Sequence, residues 1–333
     1  MPLPYRFASF SLLLLIMSLS AEAQERTPVN ELLQQMLRVV DIRAEGSPPF
    51  HMRATVQTFE DGKPASKGSY DLEWRSPTSW QEEIRMDNLR QLRIADGDKI
   101  WQDRSLPYFT ESVEQIGKVT QFPFHLRLLG KEHAGKVQEK EVKRMRLRCV
   151  EVKAERFKVK DICLQPDLAI PVRVDYPTQN GGGGFEYEDF INFGEHRFPR
   201  LIRDFDKNEL LEFRVEELTQ MPGAAPFVPP LNAKSHRWCL NPTPAEPLSE
   251  GFLMPPDIEN KIRGVRGVIY GVIGTDGNWH DLALVESSGK VSEATWFSAV
   301  RSLRFRPATC GGTSIETERL IKFSGKSSPS SSW

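Results

Sequence analysis

The fold of the last quarter of the chain is decided by the stretch Gly267-Val-Ile-Tyr-Gly-Val-Ile-Gly274 and the Asp276-Gly277 dipeptide that follows it. The stretch is apolar and rich in β-branched residues, which predicts a buried strand. Asp-Gly is a dipeptide typical of a tight hairpin turn. The next segment, Trp279-His-Asp-Leu-Ala-Leu-Val285, alternates as a returning strand does. We therefore expect a β-hairpin at residues 267–285.

A helix and a further strand are predicted after this hairpin. Ser292 is suited to cap a helix whose apolar residues fall on one face, namely Trp296, Phe297, Val300 and Leu303. We expect Phe305-Arg-Pro-Ala308 to end that helix and Leu320–Phe323 to form a last short strand. With a helix expected before the hairpin, the order from Met254 to Phe323 is helix, strand, strand, helix, strand.

This region resembles the C-terminal domain of TonB-type proteins over about residues 254–323. The positions that match the family pattern, in order, are Gly267, Val268, Asp276-Gly277, Val285-Glu-Ser-Ser288, Phe305-Arg306-Pro307-Ala308, Gly311-Gly312 and Ile321-Lys322-Phe323. The resemblance implies a small domain of two helices and a three-stranded sheet that docks an envelope protein partner. Docking would add an extended peptide to an exposed edge strand. The candidate edge strand consists of Leu320, Ile321, Lys322 and Phe323.

The N-terminus has the pattern of a secretory signal peptide. Arg6 supplies a positive charge, Leu12-Leu-Leu-Leu-Ile-Met17 is an apolar run, and Ala21-Glu-Ala23 is an A-x-A cleavage site. The apolar run is well short of the roughly 20 residues that a membrane span needs. We therefore expect cleavage after Ala23 and a periplasmic protein without a stable transmembrane span, the alternative being an uncleaved N-terminal anchor.

The residues between the signal peptide and about residue 218 predict one helix and many strands. Thr27-Pro28 begins an amphipathic helix with apolar residues at helical spacing as far as Val40. From Phe50 to Glu217, short alternating runs are separated by turn residues, which indicates a large antiparallel sheet or an open barrel.

This N-terminal region, about residues 27–218, resembles the LolA-type half-barrel that carries lipoproteins across the periplasm. The residues that match are Gly68-x-Tyr-x-Leu-x-Trp74-Arg75-Ser-Pro77 and Ala95-Asp96-Gly97-x-x-Ile100-Trp101. In such carriers an Arg directly before the Pro helps to hold the cavity closed. Here Ser76 stands in that place and Arg75 lies one residue earlier, which points the side chain to the opposite face of a strand. The closing role therefore does not transfer to Arg75.

The predicted fold class is α+β: an antiparallel, LolA-like open β-barrel with a packed amphipathic helix, followed by the small TonB-like domain. A Pro-rich connector marks the boundary between them, since proline stiffens a spacer. We expect a signal peptide at 1–23, the half-barrel at 24–220, the linker at 221–250, the C-terminal domain at 251–325 and a disordered tail at 326–333.

One set of large apolar side chains in the N-terminal region is the candidate ligand cavity: Leu72, Trp74, Trp80, Ile84, Ile94, Trp101 and Phe109. Trp is large for a barrel interior unless the interior holds a ligand such as an acyl chain. A filled core that packs against the N-terminal helix is the alternative.

Four cysteines in an exported chain predict two disulfides. Cys149 and Cys163 flank two strand-like runs, so a bridge between them is short-range. Cys239 and Cys310 would then join the linker to the C-terminal domain. Three pairings are possible in principle, and we favour this one.

The composition and motifs indicate a binding protein rather than an enzyme. The 44 basic and 45 acidic residues nearly cancel, which gives no electrostatic case for nucleic acid. The six histidines have no metal-ligand spacing, and no G-x-S-x-G motif is present. We therefore expect no cofactor, no metal and no catalytic residue.

Two functions follow from these observations. In the first, the N-terminal barrel binds an apolar ligand or lipid while the C-terminal domain docks an envelope protein. In the second, both domains are interaction surfaces of the cell envelope and no ligand is bound. An anchored TonB-type energy transducer becomes the interpretation if the signal is not cleaved.

Overall fold

The structure is a computed structural model that describes residues 31–121, 133–153, 161–176, 183–206, 208–222, 225–240, 242–248 and 256–323. The predicted signal peptide, its cleavage site and the predicted tail lie outside these residues. The predicted helix start at Thr27-Pro28 lies outside them as well.

Four helices lie in the described residues: α1 (31–40), α2 (Glu111–Gln121), α3 (Pro256–Ile262) and α4 (Glu293–Arg301). None of the helices in the described part of the chain has the length and apolar character needed to cross a membrane.

The described residues are mostly β-structure and contain twenty strands. In chain order they are β1 (Phe50–Glu60), β2 (Lys63–Ser76), β3 (Ser79–Met86), β4 (Leu89–Asp96), β5 (Lys99–Arg104), β6 (His133–Val142), β7 (Met145–Lys153), β8 (Asp161–Leu164), β9 (Pro171–Tyr176), β10 (Gly183–Phe193), β11 (His196–Asp206), β12 (Asn208–Gln220), β13 (Lys234–Arg237), β14 (Glu246–Pro247), β15 (Gly267–Ile273), β16 (Trp279–Ser287), β17 (Phe305–Arg306), β18 (Ala308–Cys310), β19 (Thr313–Ile315) and β20 (Thr317–Phe323).

The chain divides into two compact units. The first comprises residues 1–42 and 121–210, and the second comprises residues 43–120 and 211–333. Each unit contains an antiparallel run of neighbouring strands, and neither run closes on itself within the described residues. The predicted antiparallel, open architecture is therefore confirmed in this coarse form, while the predicted domain boundaries stay a prediction.

In the first unit the strand order is β11-β10-β9-β8-β7-β6. Cys149 on β7 lies directly opposite Cys163 on β8, and the two form a disulfide as predicted. Helix α1 is amphipathic as predicted, with Leu32, Met36, Leu37 and Val40 buried.

In the second unit the strand order of the sheet is β13-β5-β4-β3-β2-β1-β12. Two-residue turns join β1 to β2, β3 to β4 and β4 to β5. Asp61 and Gly62 in the first of these turns both have positive φ, which is the geometry that right-twisted hairpins prefer. These tight turns fix the strand register, and so decide which side chains share a face.

The C-terminal part of the second unit contains a separate antiparallel sheet in the order β16-β15-β20. Helix α4 is capped by Ser292, whose side chain accepts a hydrogen bond from the backbone N–H of Thr295. Trp296 and Val300 of this helix share a buried core with Ile269 and Ile321. The elements α3, β15, β16, α4 and β20 follow the predicted order, but three short strands that were not predicted, β17, β18 and β19, lie between α4 and β20.

A second disulfide joins Cys239 to Cys310 on β18, as predicted. Two details of this region differ from the prediction. Helix α4 ends at Arg301, so Phe305 and Arg306 do not form its last turn. They form a short strand that pairs with β14. The pairing satisfies backbone groups that the helix would otherwise have used.

Helix α2 and the long strands β6 and β11 were not predicted. In α2 the buried residues Val113, Ile116 and Val119 follow helical spacing, but Gly117 interrupts the helix-forming residues. Strand β11 contains Pro199, and proline argues against a strand in sequence reasoning. Strand β6 is mostly polar and has no clear apolar alternation.

Candidate functional site

The strand register places four of the seven predicted cavity residues on one face of the sheet in the second unit. Trp74 on β2 lies directly opposite Trp80 on β3, and Leu72 shares a face with Trp74 because side chains alternate along a strand. Ile84 lies opposite Tyr70, two residues before Leu72. We call this surface the Trp74 face.

The other three predicted residues lie elsewhere. Ile94 on β4 pairs with Gln81, the neighbour of Trp80, so it points to the opposite face of the sheet. Trp101 on β5 lies opposite Ile94 and shares that opposite face. Phe109 follows β5, and its ring lies against Tyr270 of the C-terminal sheet with the ring centroids 5.5 Å apart. The seven side chains therefore do not share a single surface.

The Trp74 face is covered in this structure. Leu72, Trp74 and Ile84 each expose 3% or less of their surface, and Trp80 exposes 8%. Trp74 stacks on Phe50, and Trp80 makes an edge contact with Trp238 of the linker. A ligand would reach these side chains only after the structure opens.

A buried polar cluster lies on the same face, next to the apolar residues. The Tyr70 hydroxyl donates to Glu82 at 3.0 Å and accepts from Arg43 at 3.2 Å. Arg93 on β4 lies opposite Glu82 and donates from its Nε to that carboxylate at 2.8 Å. Burial, and then the Glu82 charge, raises the pKa of Tyr70, so the hydroxyl stays protonated.

Arg104 on the adjacent strand β5 joins this face to the C-terminal sheet. Its Nε donates to Gln91 at 2.8 Å, while Nη1 and Nη2 donate to Glu318 on β20 at 3.3 and 3.0 Å. Gln102 donates to the same carboxylate at 3.1 Å, and the Tyr270 hydroxyl donates to it as well. Glu318 therefore accepts from four donor atoms.

The electrostatics of this contact favour an ionised Glu318. Burial opposes the charged form, but the Arg104 charge and the hydrogen bonds from Arg104, Tyr270 and Gln102 outweigh it and hold the pKa of Glu318 below its ordinary value. Burial, and then the Glu318 charge, raises the pKa of Tyr270, which keeps the phenol a donor. The Arg104 side chain is only 6% exposed.

Apolar residues surround the polar contact. One face of the C-terminal sheet forms a small buried cluster of Val268, Tyr270, Val272 and Leu320, against which Tyr108 and Phe109 pack. The guanidinium carbon of Arg104 lies 5.5 Å from the centroid of the Phe109 ring and 5.8 Å from that of Tyr270. The C-terminal sheet is thus covered on one face by its own helix α4 and on the other by the segment after β5.

Ion pairs at the edge of this contact involve helix α2. Lys322 lies 3.0 Å from Glu114 and 3.8 Å from Glu111, and Arg266 lies 3.3 Å from Glu111. These side chains are more exposed than Arg104, so solvent screens their attraction more strongly.

The candidate partner-binding strand β20 lies at one edge of the C-terminal sheet, and β16 lies at the other. Leu320 belongs to the cluster that contacts Phe109, whereas Ile321 and Phe323 belong to the core under α4. Lys322 is held by the ion pairs to α2. The side chains of the predicted strand therefore stabilise the domain and its contact, and only its backbone edge is left for a partner.

Arg75 does not take part in the polar cluster. Its guanidinium lies 3.6 Å above the ring of Phe227 in the linker, and 3.9 Å from the carboxylate of Glu73.

The sequence gives little indication of the Arg104–Glu318 contact. Glu318 lies two residues before Leu320, so alternation places both on one face of β20, but nothing in the sequence names the partner. Arg104 is one of many arginines at strand ends. Joining the two requires the arrangement of two sheets that are distant in sequence.

Comparisons with solved structures return distant similarities. An outer membrane lipoprotein-sorting protein domain from Vibrio parahaemolyticus is 10% identical over 59% of this chain and 93% of that chain, with a TM-score of 0.39. A LolA-superfamily protein from Nitrosomonas europaea is 12% identical over 58% and 94%, with a TM-score of 0.40. The MucA/MucB complex structure from Pseudomonas aeruginosa is 12% identical over 90% and 77%, with a TM-score of 0.28.

These similarities are too weak to assign a ligand or a partner to this chain. No protein-family model matches the sequence. No curated protein matches it either.

Proposed function

We propose that this chain is a non-enzymatic, exported envelope protein that binds an apolar ligand through the Trp74 face. The ligand class is an acyl chain or the lipid of a lipoprotein. The observation that carries the proposal is the juxtaposition of Trp74, Trp80, Leu72 and Ile84 on one face of a sheet whose strand run is open. An open sheet can admit a ligand by displacing covering segments, such as the linker residue Trp238.

We further propose that residues 251–325 are a TonB-like domain that docks an envelope protein. The order of its helices and strands and the central position of β15 in its three-stranded sheet support this proposal. Docking would use the backbone edge of β20, because an edge strand offers unpaired N–H and C=O groups to an added strand.

Ligand binding is tested by purifying the exported protein without detergent, extracting it with organic solvent and identifying the lipids by mass spectrometry. Titration calorimetry with dodecyl maltoside, below its micelle concentration, then measures uptake of an acyl chain with a neutral head group. A protein that carries no lipid and takes up no dodecyl chain would contradict the proposal.

Two tryptophans provide a matched pair of variants for this titration. Trp80 lies on the Trp74 face and Trp101 lies on the opposite face of the same sheet. We expect Trp80→Ala to weaken dodecyl maltoside binding by about tenfold, and Trp101→Ala to leave it nearly unchanged. Equal effects of the two variants would mean that the ligand does not bind on the Trp74 face.

Docking is tested by photo-crosslinking in intact cells. A photoreactive amino acid is placed at Lys322 on β20, at Glu286 on β16, or at exposed Glu259 on α3 as a control. The proposal predicts a defined adduct from position 322. An adduct from position 286 alone would move the docking edge to β16, and equal labelling from all three positions would contradict docking by a strand edge.

A further inference from the structure

We propose that Arg104 is a binding site for the anionic head group of an amphiphile, and that Glu318 is a built-in occupant which this head group displaces. The inference rests on the proposed function and deepens it, since it assigns the ligand an oxyanion in addition to an apolar chain. The shared chemistry is that of a carboxylate or a phosphate.

The donors around Glu318 form a cradle that suits an oxyanion in general. Nη1 and Nη2 of Arg104 reach both oxygens of the carboxylate, and Gln102 adds a third donor from the same strand. An arginine fork binds carboxylate and phosphate oxygens with the same two-pronged geometry. Gln91 fixes the guanidinium by accepting from its Nε, so the fork is preorganised by the sheet itself.

Arg104 is buried together with its carboxylate partner in this structure. The Arg104 side chain is only 6% exposed, whereas that of Glu318 is 27% exposed. If the C-terminal sheet separated from β5 and nothing replaced Glu318, the guanidinium would exchange its two hydrogen bonds to the carboxylate for hydrogen bonds to water, beside the apolar ring of Phe109. A second anion that binds the same fork keeps two charge-assisted hydrogen bonds, so separation is favoured when it takes the place of the carboxylate.

A comparison with Arg93 explains why we assign the site to Arg104. Arg93 is half-buried, with 25% of its side chain exposed, and its carboxylate partner, Glu82, lies on the neighbouring strand of the same sheet. That pair persists when the C-terminal sheet moves. Arg104 depends on a carboxylate that lies in a different sheet, so its counter-ion is the exchangeable one.

The apolar surroundings assign the rest of the ligand. Separation would uncover Tyr108 and Phe109 on one side, and Val268, Val272 and Leu320 on the other. Arg104 lies opposite Gln91 and Gln91 lies opposite Ile84, so Arg104 shares the face of the sheet on which the Trp74 face lies. A molecule whose oxyanion binds Arg104 and whose acyl chain extends along this face, over Phe109 and toward Trp80, would replace both the polar and the apolar parts of the contact. Free phosphate would replace the polar part alone.

The experiment compares four chains by titration calorimetry: wild type, Glu318→Gln, Arg104→Met and the control Glu259→Gln. Glu259 forms only an exposed ion pair with Arg263 on α3. The probes are dodecyl phosphate, dodecyl maltoside with the same chain and a neutral head group, and inorganic phosphate. Thermal melts establish that each variant is folded.

We expect Glu318→Gln to bind dodecyl phosphate about tenfold more tightly than wild type and Glu259→Gln, since typical coupling between competing groups lies in this range. Wild type should prefer dodecyl phosphate to dodecyl maltoside, and Arg104→Met should lose that preference while it still binds dodecyl maltoside. If Arg104→Met does not fold, the comparison of Glu318→Gln with Glu259→Gln still tests whether the head group displaces Glu318.

Each of the other outcomes contradicts one part of the proposal. Equal dodecyl phosphate affinity in Glu318→Gln and Glu259→Gln overturns the displacement of Glu318. If inorganic phosphate binds as tightly as dodecyl phosphate, the ligand is a free anion and not an amphiphile. Binding of both amphiphiles without a head-group preference overturns this inference alone, whereas binding of neither overturns the proposed function as well.

Discussion

Arg104 on β5 and Glu318 on β20 are 214 residues apart in sequence, yet the guanidinium donates to both oxygens of the carboxylate. The pair links the sheet that carries the Trp74 face to the C-terminal sheet. The guanidinium packs beside the contacting rings of Phe109 and Tyr270, which limits its exposure to water. The contact therefore stabilises the arrangement of the two sheets, and it is the position at which we propose that the head group of the ligand binds.

Replacing Glu318 with Ala should destabilise the protein, because it leaves the Arg104 charge without a partner. For a partly buried pair we expect a loss of about 2–3 kcal/mol in the free energy of unfolding. Urea denaturation followed by circular dichroism measures this loss. Glu259→Ala, which breaks an exposed pair, should cost less than about 0.5 kcal/mol, and equal losses would contradict the account.

The Arg104–Glu318 contact should weaken in acid. The folded-state pKa of Glu318 is depressed, so its contribution to stability is fully present above the ordinary pKa of 4.5 and is lost as pH falls below it toward the folded-state value. Hydrogen exchange of β20 between pH 7 and pH 3 measures the effect. Glu318→Gln should remove the part of this pH dependence that belongs to the contact; an unchanged profile would show that other carboxylates cause it.

Gly277 in the Asp-Gly turn should tolerate no side chain. Its φ is +79°, and a Cβ there would overlap the carbonyl oxygen of Phe305. Gly277→Ala is expected to cost about 3 kcal/mol or more through strain and displacement of that backbone.

Gly62 provides the control for this substitution, since its φ is +73° and a Cβ there would meet no atom within 4 Å. Gly62→Ala should cost only the conformational strain, about 1 kcal/mol. Thermal melts compare the two variants. Similar losses would mean that Phe305 is not held against the turn.

The two disulfides should differ in their contribution. Cys239 and Cys310 are separated by 71 residues and Cys149 and Cys163 by 14. Because loop-closure entropy grows with the length of the loop, replacing Cys239 and Cys310 with Ser should lower the free energy of unfolding by about 4 kcal/mol. Replacing Cys149 and Cys163 should lower it by about 3 kcal/mol. Urea denaturation of the two double variants measures the difference, and a larger loss from the shorter loop would contradict this ranking.

The sequence predicts those parts of the fold that depend on local patterns. The apolar run of β15 and the Asp276-Gly277 turn locate the C-terminal hairpin, and the cap at Ser292 locates the start of α4. Both disulfide pairings were also predicted. Each of these depends on neighbours in sequence or on a small number of possible pairings.

The composition of the candidate site depends on register, which the sequence does not state. Ile94 was grouped with Trp80, but the structure puts them on opposite faces because β4 begins at Leu89, directly opposite Met86. The turn between these strands is Asp87-Asn88, which is neither Asn-Gly nor Asp-Gly, so the two-residue turn that sets the register was not predicted. Alternation alone cannot relate the faces of two strands until the turn between them is known.

The contact between the two sheets was not predictable in any part. Phe109 was assigned to a cavity on its apolar character, and it packs against Tyr270 instead. Glu318 has the appearance of a surface residue in sequence. Its burial results from the long-range arrangement of β5 and β20, for which a single sequence carries no pattern.

Native mass spectrometry of the protein purified without detergent tests the central claim most directly, because it weighs the folded chain together with anything that it holds. We predict a population heavier than the polypeptide by the mass of an acyl-containing molecule, and we expect this molecule to be lost when Trp80 is replaced with Ala but kept when Trp101 is replaced. A protein that has only the mass of its polypeptide, and that gains no mass after incubation with dodecyl phosphate or dodecyl maltoside, would contradict the account.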